Sequence, residues 1–531
     1  MNDAEAFLKE GILIDPELNR ELKNIRTPLV DVVKTLNIKF LSKGDIVRNY
    51  LKIKLILEKI KERKTGEEAE YITQTIKYLA NLVEQNGGLI ETVIDSKSST
   101  NLPVEVQQLK SERSGVKVLK CYTIPPREIK VADFTEYFKA RFNALKSILQ
   151  KHTDLENLTL INKISPNSKN VSVIGMVYKK SITKNKNILF EIEDLTGKIS
   201  VLVNVNKPEL IEKANQVVLD EVLCFKCSGS SDILFANDLV FPDIDMLSGM
   251  RRRAEKEEYA VFISDVHVGS KLFLEKEFLK FIDWINGNSG NLEQKVEALK
   301  VKYLFVVGDC VDGIGVYPGQ QDKLAITELS LQYKRLAELM AMIRKDITIM
   351  ICPGQHDGSR VHEPQPPIAI NFAKELYEME NVLMVSNPSL ISIARHQNNE
   401  GVHVMLYHGD SFHPMINEID ELRFGEARKY PTKVIKHWLK KRHLGPMHTT
   451  TTHIPIPEGD PLVITDVPDI LATGDMHRTD VSNYKGVLTI NSSCWQARTD
   501  FEEKVGNIPD PCKCPLDNLK TWDVKILDFN D

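Results

Sequence analysis

Five short polar clusters in the C-terminal half of the chain carry the residue types that bind divalent metal ions. In chain order they are DVH (265–267), GDCVD (308–312), GQHD (354–357), HGD (408–410) and GDMH (474–477). Carboxylate, imidazole and amide side chains together form the mixed ligand set that suits Mn²⁺, Fe²⁺ or Zn²⁺ in pairs. One such cluster alone is usually a polar turn, but the ordered set of five predicts a site for two metal ions.

Each of these clusters follows or overlaps the end of an apolar run with the composition of a buried strand. The runs are YAVFIS, YLFVVG, ITIMIC, HVMLYH and ILATG, and amphipathic helical stretches separate them. Strands that alternate with helices predict an α/β domain, which we assign to residues 251–531. Because functional groups collect where the strands of such folds end, the five clusters should lie close together in space.

The N-terminal part of the chain predicts a separate organisation. The chain has 531 residues, several times the usual length of one domain, so several domains are expected. Apolar residues recur at helical spacing within residues 1–83, which predicts a small helical N-terminal domain. Clusters of Ser, Lys, Asn, Gly and Pro within residues 84–132 cannot bury much surface, so this range is predicted to be a linker.

Residues 133–250 are predicted to form a helix followed by a small β-barrel. Phe134, Phe138 and Phe142 recur every four residues with basic residues on the other face, as in an amphipathic helix. From residue 158 the apolar period changes to two, and the strand-turn-strand FEIEDLTGKISVLV looks like strands two and three of an OB-fold. Such barrels bind single-stranded nucleic acid or dock other proteins, and the scarcity of exposed aromatic residues favours docking.

Composition and charge define the broad class of the protein. The 69 Lys and Arg against 74 Asp and Glu give a net charge of −5, which excludes a uniformly basic nucleic-acid-binding surface but not a local basic patch. The start MNDAEAFLKEG carries acids where a secretion signal needs basic and then apolar residues, and no apolar run reaches the length of a membrane span. We therefore expect a soluble, cytoplasmic protein without membrane contact.

The order of the five clusters resembles the calcineurin-like metallophosphoesterases, whose motifs run DxH, GDxxD, GNHD, a lone His and GHxH. The resemblance covers residues 258–480 and implies an αββα-type domain that binds two divalent metal ions. By motif position it implies seven ligands: Asp265, His267 and His477 for one metal, Asp309 as the bridge, and Gln355, His408 and Asp475 for the second metal. Two of them depart from the family, because Gln355 stands for the usual Asn and Asp475 for the usual His; both still offer an oxygen.

The same resemblance implies phosphoester hydrolysis without a covalent enzyme intermediate. Two cations a few ångströms apart can clamp a phosphate and lower the pKa of a bridging water to make a nucleophile. Asp309 would set the spacing of the ions, and His356 would protonate or stabilise the leaving group. Asp312 and Asp357 are candidates for orienting the ligands from behind, with ordinary turn and cap residues as the equally weighted alternative.

Several further strings narrow the resemblance. GSR (358–360), EPQPP (363–367), WQARTDF (495–501) and IPDP (508–511), together with a preceding OB-like barrel, look like the small subunit of archaeal family D DNA polymerase. The resemblance implies a 3′→5′ proofreading exonuclease that acts on the primer 3′ end and associates with a large catalytic polymerase subunit at the nucleoid of an archaeal cell. Mn²⁺ is the first expectation for the metal, with Mg²⁺, Fe²⁺ or Zn²⁺ as alternatives.

Two other functions stay open at this point. The first is a structural subunit that clamps the polymerase catalytic chain and carries a weak or vestigial metal site. The second is a phosphomonoesterase or protein phosphatase with the same core, which ranks last because it explains neither the attached barrel nor the EPQPP string.

Basic residues near the clusters are candidate contacts for DNA. Arg360, four residues after His356, is a candidate for gripping the substrate phosphate. The segment 428–442 carries seven Lys and Arg around Trp438 and predicts a short basic helix that begins near Pro431. A solvated basic face whose tryptophan packs inward is the alternative. The candidate DNA contacts in this segment are Lys436, Lys440, Lys441 and Arg442.

Overall fold

The structure, a computed structural model, describes most of the chain from residue 115 onward and a few residues before it. The described residues are 13–14, 40–41, 53, 57, 72–73, 75–76, 79, 115–123, 127–153, 155–245, 252–396, 399–448, 450–456 and 459–530. Contacts divide the chain into two units, residues 1–105 and 106–531, and each is described by itself. Within the described ranges, no helix combines the length and the apolar character needed to cross a membrane.

In the first unit, only short pieces are described. Strand β1 (Leu13–Ile14) pairs in parallel with β2 (Phe40–Leu41). Leu57 and Leu79 are helical and fully buried, in keeping with their apolar character. The predicted helical domain of residues 1–83 otherwise lies outside the described residues, so it stays a prediction.

The second unit contains the amphipathic helix expected from the phenylalanine spacing. Helix α1 (Val131–Leu149) begins after Lys130, whose backbone N–H donates to the Asp133 side chain at 2.7 Å. Phe142 and Leu145 are buried and pack in one cluster with Val222 of the barrel. The predicted range 133–150 is therefore confirmed within two residues at either end.

A closed five-stranded barrel follows this helix. Phe190, Ile192 and Val201 alternate with outward-facing residues and fill its interior, as the period of two predicted. The strands pair in the order β4-β5-β6-β8-β7. The predicted strand-turn-strand corresponds to β5 and β6, while the assignment of the barrel to the OB-fold stays a prediction. The elements are β4 (Ser168–Ile182), β5 (Ile188–Asp194), β6 (Gly197–Val203), helix α2 (Pro208–Asn215), β7 (Val222–Gly229) and β8 (Ile233–Val240).

The rest of the second unit contains two six-stranded sheets of mixed direction. The first has, in spatial order, β12 (Val382–Met384), β11 (Thr348–Cys352), β10 (Val301–Val307), β9 (Tyr259–Ile263), β18 (Lys513–Asn518) and β19 (Val524–Asp528). The second has β16 (Asp480–Tyr484), β17 (Val487–Asn491), β15 (Ile470–Thr473), β14 (Val402–Leu406), β13 (Ser389–Ile393) and β3 (Lys117–Cys121). The five predicted apolar runs are confirmed as β9, β10, β11, β14 and β15.

The two sheets pack face to face through their inner side chains. Phe262 of β9 and Phe305 of β10 stack with ring centroids 4.9 Å apart, and they share one cluster with Val404 of β14 and Ile470 of β15. The next residue along β9, Ile263, points to the opposite face and into a different cluster. Both faces of each central strand are thus apolar, which explains why the runs read as continuously hydrophobic.

Helices cover the outer face of each sheet and complete four layers of the αββα type. The first sheet packs against α3 (Glu275–Ile285), α4 (Leu292–Leu299), α5 (Leu329–Ala341) and α6 (Lys374–Glu378). The second sheet packs against α7 (Phe412–Glu418), α8 (Asp420–Phe424) and α9 (Thr432–Lys441). A short helix α10 (Asp500–Val505) precedes β18.

Strand β3 lies inside the range 84–132 that composition predicted to be a linker. It pairs antiparallel with β13 and forms the edge of the second sheet. Composition missed it because the segment KVLKC is short and contains two lysines without a period of two, and because its partner strand lies far along the chain. The C-terminal end of the predicted linker therefore belongs to the sheet.

The basic helix α9 joins the α/β part to the barrel. It begins directly after Pro431, as predicted. The Lys441 side chain is 0% exposed and its Nζ donates to Glu221 Oε2 of the barrel at 2.7 Å. Lys440 Nζ donates to Gln216 Oε1 at 2.6 Å. Both ammonium groups therefore bind the barrel.

Arg442, just after helix α9, is also used inside the protein. Its guanidinium donates to the carbonyl oxygens of Ile464 at 2.8 Å and Thr465 at 2.9 Å. Trp438 is fully buried, as the alternative of an inward-packing tryptophan proposed. The burial of Lys441 and Arg442 does not fit the DNA contact predicted for them, because charge spacing in a sequence does not reveal which basic residues face another domain. DNA contact by the half-buried Lys440 stays a prediction.

Lys441→Met should lower the melting temperature of the protein by several degrees. Glu221 would then keep a buried carboxylate without its counter-charge, which costs about 3 kcal/mol. Differential scanning calorimetry measures the change. Lys433→Met, on the exposed side of the same helix, is the matched control, and Glu221→Gln added to Lys441→Met should recover part of the loss. An equal effect of Lys433→Met would contradict the role assigned to the pair.

Candidate metal centre

The predicted ligand clusters meet at one edge of the paired sheets, where neighbouring parallel strands end. In the first sheet, Asp265 lies two residues after the end of β9, and Asp309 lies two residues after the end of β10. Gln355 lies three residues after the end of β11. In the second sheet, His408 and Asp475 follow β14 and β15 by two positions. Parallel strands share the edge at which they end, so the convergence expected from the sequence is confirmed.

The loops that carry these residues have an uncommon backbone conformation. Five of the seven predicted ligands have φ between 46° and 65°, a region that non-glycine residues seldom adopt: Asp265, His267, Asp309, Asp475 and His477. Each such residue costs of order 1 kcal/mol or more, and it persists only where the surrounding structure holds it. The two sheets therefore hold a strained set of loops whose side chains turn inward.

Glycines in the motifs leave room for the carboxylates. A Cβ on Gly354 would lie 2.2 Å from Asp309 Oδ1, and one on Gly474 would lie 2.6 Å from Asp265 Oδ2. No side chain tolerates such distances without displacing the carboxylate. The glycines of GQHD and GDMH are thus required by the close approach of the ligand loops.

The first predicted group of ligands is assembled. His477 Nε2 lies 3.3 Å from Asp265 Oδ1, and His267 Nε2 lies 3.3 Å from His477 Nε2. These three side chains offer one atom each within the span that a single metal ion bridges. The structure therefore brings together the residues predicted for the first metal.

The second predicted group surrounds Asp309. His408 Nε2 lies 3.3 Å from Asp309 Oδ2 and 4.0 Å from Asp265 Oδ1. Gln355 Nε2 lies 3.4 Å from Asp475 Oδ1 and 3.3 Å from Asp410 Oδ1. Asp309 lies in two of the three potential metal-binding groups, one with His267 and one with His408, as do Asp265 and His267. Asp309 is the member that links the predicted first-metal ligand His267 to the predicted second-metal ligand His408, as a bridging ligand would.

Several ligand atoms in this cluster are buried and have no hydrogen-bond partner. They are Asp265 Oδ1, Gln355 Oε1, His408 Nε2 and Asp475 Oδ2. A buried polar atom left unpaired costs about 1–3 kcal/mol, and more when it is charged. All four are oxygen or nitrogen donors of the kind that bind divalent cations, so the residues present fit a metal centre.

The histidines keep one ring nitrogen for this centre because the other faces a fixed acceptor. His408 Nδ1 lies 2.8 Å from the Val307 carbonyl oxygen. His267 Nδ1 lies 3.2 Å from Asp312 Oδ1, and His477 Nδ1 lies 3.0 Å from Glu502 Oε1. Such partners orient a ligating imidazole and increase its basicity.

Asp312 and Asp357 hold the ligand loops from behind. Asp312 Oδ1 accepts from Gln496 Nε2 at 3.1 Å in addition to its contact with His267. Asp357 accepts from the backbone N–H of Gly354 at 2.9 Å and from the Tyr333 hydroxyl at 2.8 Å. Burial and the neighbouring Asp309 charge raise the pKa of Asp357 to about 6, although these donors act in the opposite direction.

The pKa values of two buried carboxyl groups in the cluster change in opposite directions. Burial and the charges of Asp265 and Asp309 raise the pKa of Asp475 to about 7. Burial also acts to raise the pKa of Asp309, but the His408 and His356 charges outweigh it and hold that pKa below its usual value. Protons therefore provide the positive charge that the buried carboxylates need, and a divalent cation would displace them.

His356 lies at the rim of this cluster. Its Nδ1 lies 2.7 Å from the carbonyl oxygen of Asp312, and its backbone N–H donates to Asp309 Oδ1 at 2.9 Å. The remaining ring nitrogen, Nε2, lies 4.0 Å from Asp309 Oδ2. The ring is therefore fixed with one nitrogen turned toward the ligand cluster.

Arg360 lies beside His356 but is partly engaged elsewhere. Its guanidinium donates to the carbonyl oxygens of His362 at 3.2 Å and Pro364 at 2.9 Å. Lys436 is half-buried on helix α9. Phosphate or DNA contact by these two residues stays a prediction.

Sequence reasoning missed several residues that support the ligands. Glu502 faces His477, Gln496 binds Asp312, and Asn387 Oδ1 accepts the backbone N–H of His408 at 2.9 Å. None of them lies in a metal-binding motif. The local signals were the string WQARTDF, which contains Gln496 but was used only for the resemblance, and the Thr499–Glu502 capping box, which indicates a helix start and not a site.

Sequence comparisons identify the family. Residues 260–481 match the family of DNA polymerase alpha/epsilon B subunits. The DNA polymerase II small subunit of Methanothermobacter thermautotrophicus is 39% identical over 402 residues, covering 75% of this chain and 80% of that protein. The chain belongs to the archaeal DNA polymerase II small subunits.

Two other archaeal small subunits align over a similar range. The one from Archaeoglobus fulgidus is 37% identical over 410 residues, covering 77% of this chain and 79% of that protein. The one from Pyrococcus furiosus is 37% identical over 408 residues, covering 76% of this chain and 64% of that protein. The polymerase small-subunit family predicted from the motif order and the C-terminal strings is confirmed.

Restoring the metallophosphoesterase pattern with Gln355→Asn and Asp475→His should shift metal preference toward Zn²⁺. Asp475 replaces a neutral imidazole with an anion, which favours harder ions such as Mn²⁺. Isothermal titration of the full chain with each ion should show the ratio of the two affinities change by about tenfold. Asp410→Asn is the matched control. Unchanged affinities in the double variant, with a change in the control, would assign the ligand role to Asp410.

Proposed function

We propose that this small subunit is a metal-dependent phosphodiesterase that removes nucleotides from the 3′ end of a DNA primer, and so acts as a proofreading exonuclease. The proposal depends chiefly on four buried ligand atoms, of Asp265, Gln355, His408 and Asp475, that make no hydrogen bond. Asp265 Oδ1 and His408 Nε2 face only other predicted ligands, His477 and Asp309, each at 3.3 Å. These atoms are costly to keep in a fold unless a cation occupies their common space. Two ions, Mn²⁺ first among them, are the occupants proposed.

The residues of the chain have separate tasks in this proposal. When bound, divalent cations supply Lewis acidity that neutralises a phosphate and activates a water for attack. Asp309 lies between the two sets of ligands, since it groups with His267 on one side and with His408 on the other, and it would set the distance between the two ions. His356 has its Nδ1 fixed by the Asp312 carbonyl, so its Nε2 is the nitrogen that can give a proton to the leaving oxygen.

We also propose that the subunit acts in a complex with a large catalytic polymerase subunit, as the term small subunit in the names of its relatives implies. The primer end would then pass from the polymerase site to the metal centre. The barrel and the two-sheet region are the proposed docking surfaces, with the N-terminal helical domain attached through residues 84–114.

A scaffold with a weak or inactive metal site is the second candidate. The observation that favours it is the use of Lys441 and Arg442 at the barrel junction, which removes two cations from possible DNA contact. The preserved ligand atoms favour hydrolysis, because a site freed from catalysis could replace its buried carboxylates by apolar residues at a gain in stability. The two candidates differ in whether the isolated chain cleaves DNA.

Asp309→Ala and His356→Ala should abolish or strongly reduce manganese-dependent digestion of a mismatched primer labelled at its 5′ end. The first removes the shared ligand and the second the proton donor, a loss of about a hundredfold or more for the histidine. Gel analysis of the full chain gives the rates, and melting curves report folding. His362→Ala, an exposed histidine nearby, is the matched control. Full activity of either first variant would contradict the mechanism.

A chain shortened to begin at residue 106 should still bind the large subunit. The second structural unit starts there, and it keeps β3 in the edge of its sheet. Size-exclusion chromatography with the purified large subunit measures binding, and the full chain is the control. Loss of the complex would assign the contact to the N-terminal 105 residues.

A further inference from the structure

A largely apolar cleft of about 630 Å³ opens beside His356 and Gln355. One wall is formed by residues 314–316, where Ile314 and Val316 are each 40% exposed. The other wall includes Val361, which is 53% exposed. Exposed aliphatic side chains grouped in one concave surface next to a reactive centre are typical of a binding site for an apolar or aromatic group.

The walls of this cleft are fixed before any ligand arrives. The Val316 backbone N–H donates to Gln320 Oε1, and the Gly313 backbone N–H donates to Gln332 Oε1, each at 2.9 Å. On the other side, the Ser359 hydroxyl donates to the Pro366 carbonyl oxygen at 2.9 Å. A cleft with pre-ordered walls loses little conformational entropy when it binds.

We propose that this cleft binds the nucleobase of the penultimate nucleotide at the single-stranded primer end. The proposal rests on the exonuclease function proposed above. The volume lies within the range of small-molecule sites, and a nucleobase offers two flat apolar faces of any sequence.

The bond that breaks in the reaction determines which nucleotide lies beside the cleft. Proofreading has to leave a 3′-hydroxyl that a polymerase can extend. The water gives up a proton to solvent and its oxygen bonds to phosphorus, the bond from phosphorus to the penultimate 3′-oxygen breaks, and the phosphate departs with the terminal nucleotide. His356 gives its proton to that 3′-oxygen, so the penultimate nucleotide lies on the His356 side of the site, where the cleft opens.

The test compares three single-stranded oligonucleotides labelled at the 5′ end: one intact, one without the terminal base and one without the penultimate base. With the full chain and Mn²⁺, loss of the penultimate base should raise KM about tenfold, and loss of the terminal base should change it less. The double variant Ile314→Ala/Val361→Ala removes the side chains that would contact this base. In this variant the KM of the intact substrate should rise to the value for the substrate without the penultimate base. The KM of the substrate without the penultimate base should be the same in the variant and in the unchanged chain. Phe424→Ala, which removes an exposed ring from helix α8, is the matched control.

A binding measurement separates this inference from the exonuclease proposal. An oligonucleotide with 2-aminopurine at the penultimate position should gain fluorescence on binding, because its base leaves its stacked neighbours, and the double variant should abolish the gain. A gain without any hydrolysis would support the cleft while the exonuclease proposal fails. The assignment would be overturned if the double variant raised the KM of all three substrates equally. It would also be overturned if the increase in KM disappeared on loss of the terminal base and not on loss of the penultimate base. The inference would also be overturned if the double variant failed to bind the large subunit while its KM values matched those of the unchanged chain. The cleft would then be assigned to a protein partner.

Discussion

The structure depends on the burial of a dense group of carboxylates and imidazoles whose ligand atoms are only partly satisfied by one another. Asp265, Asp309, His408 and Asp475 lie at one edge of the paired sheets, and several of their ligand atoms have no partner. Burial raises the pKa of Asp475 to about 7, which expresses how poorly this environment accommodates an unpaired anion. A bound divalent cation would supply the missing positive charge and so make the burial of these side chains energetically reasonable.

Two features of the fold allow this burial. The sheets pack through aromatic and aliphatic faces, such as the stacked Phe262 and Phe305, and this rigid core holds loops in strained left-handed conformations. Behind the ligands, Asp312, Asp357 and Glu502 bind loop backbones or imidazole nitrogens. Two sets of contacts thus position the ligands: the strand ends place their backbones, and the hydrogen-bond acceptors fix their side chains.

The junction between the barrel and the two-sheet region uses a different principle. Lys441 pairs with Glu221 in a fully buried contact, and Arg442 binds backbone carbonyls. Groups of this kind are costly when separated, so they tend to fix one relative placement of the parts they join. The same arrangement explains why Lys441 and Arg442, at the end of a basic segment that suggested DNA contact, lie inside the protein.

The sequence by itself determined the parts of this protein that follow from short-range pattern. Strand composition, helix spacing and the five motifs predicted the β9, β10, β11, β14 and β15 strands, helix α1, the barrel strands β5 and β6, and the meeting of seven candidate ligands. These features depend on the period of apolar residues and on the ends of parallel strands, which neighbouring residues encode.

Tertiary structure alone decided which contacts form between residues that are distant in the sequence. It placed β3 beside β13, turned Lys441 toward Glu221, brought Glu502 to His477, and formed a cleft from residues 314 and 361, because each of these contacts joins segments whose proximity exists only after the chain has folded.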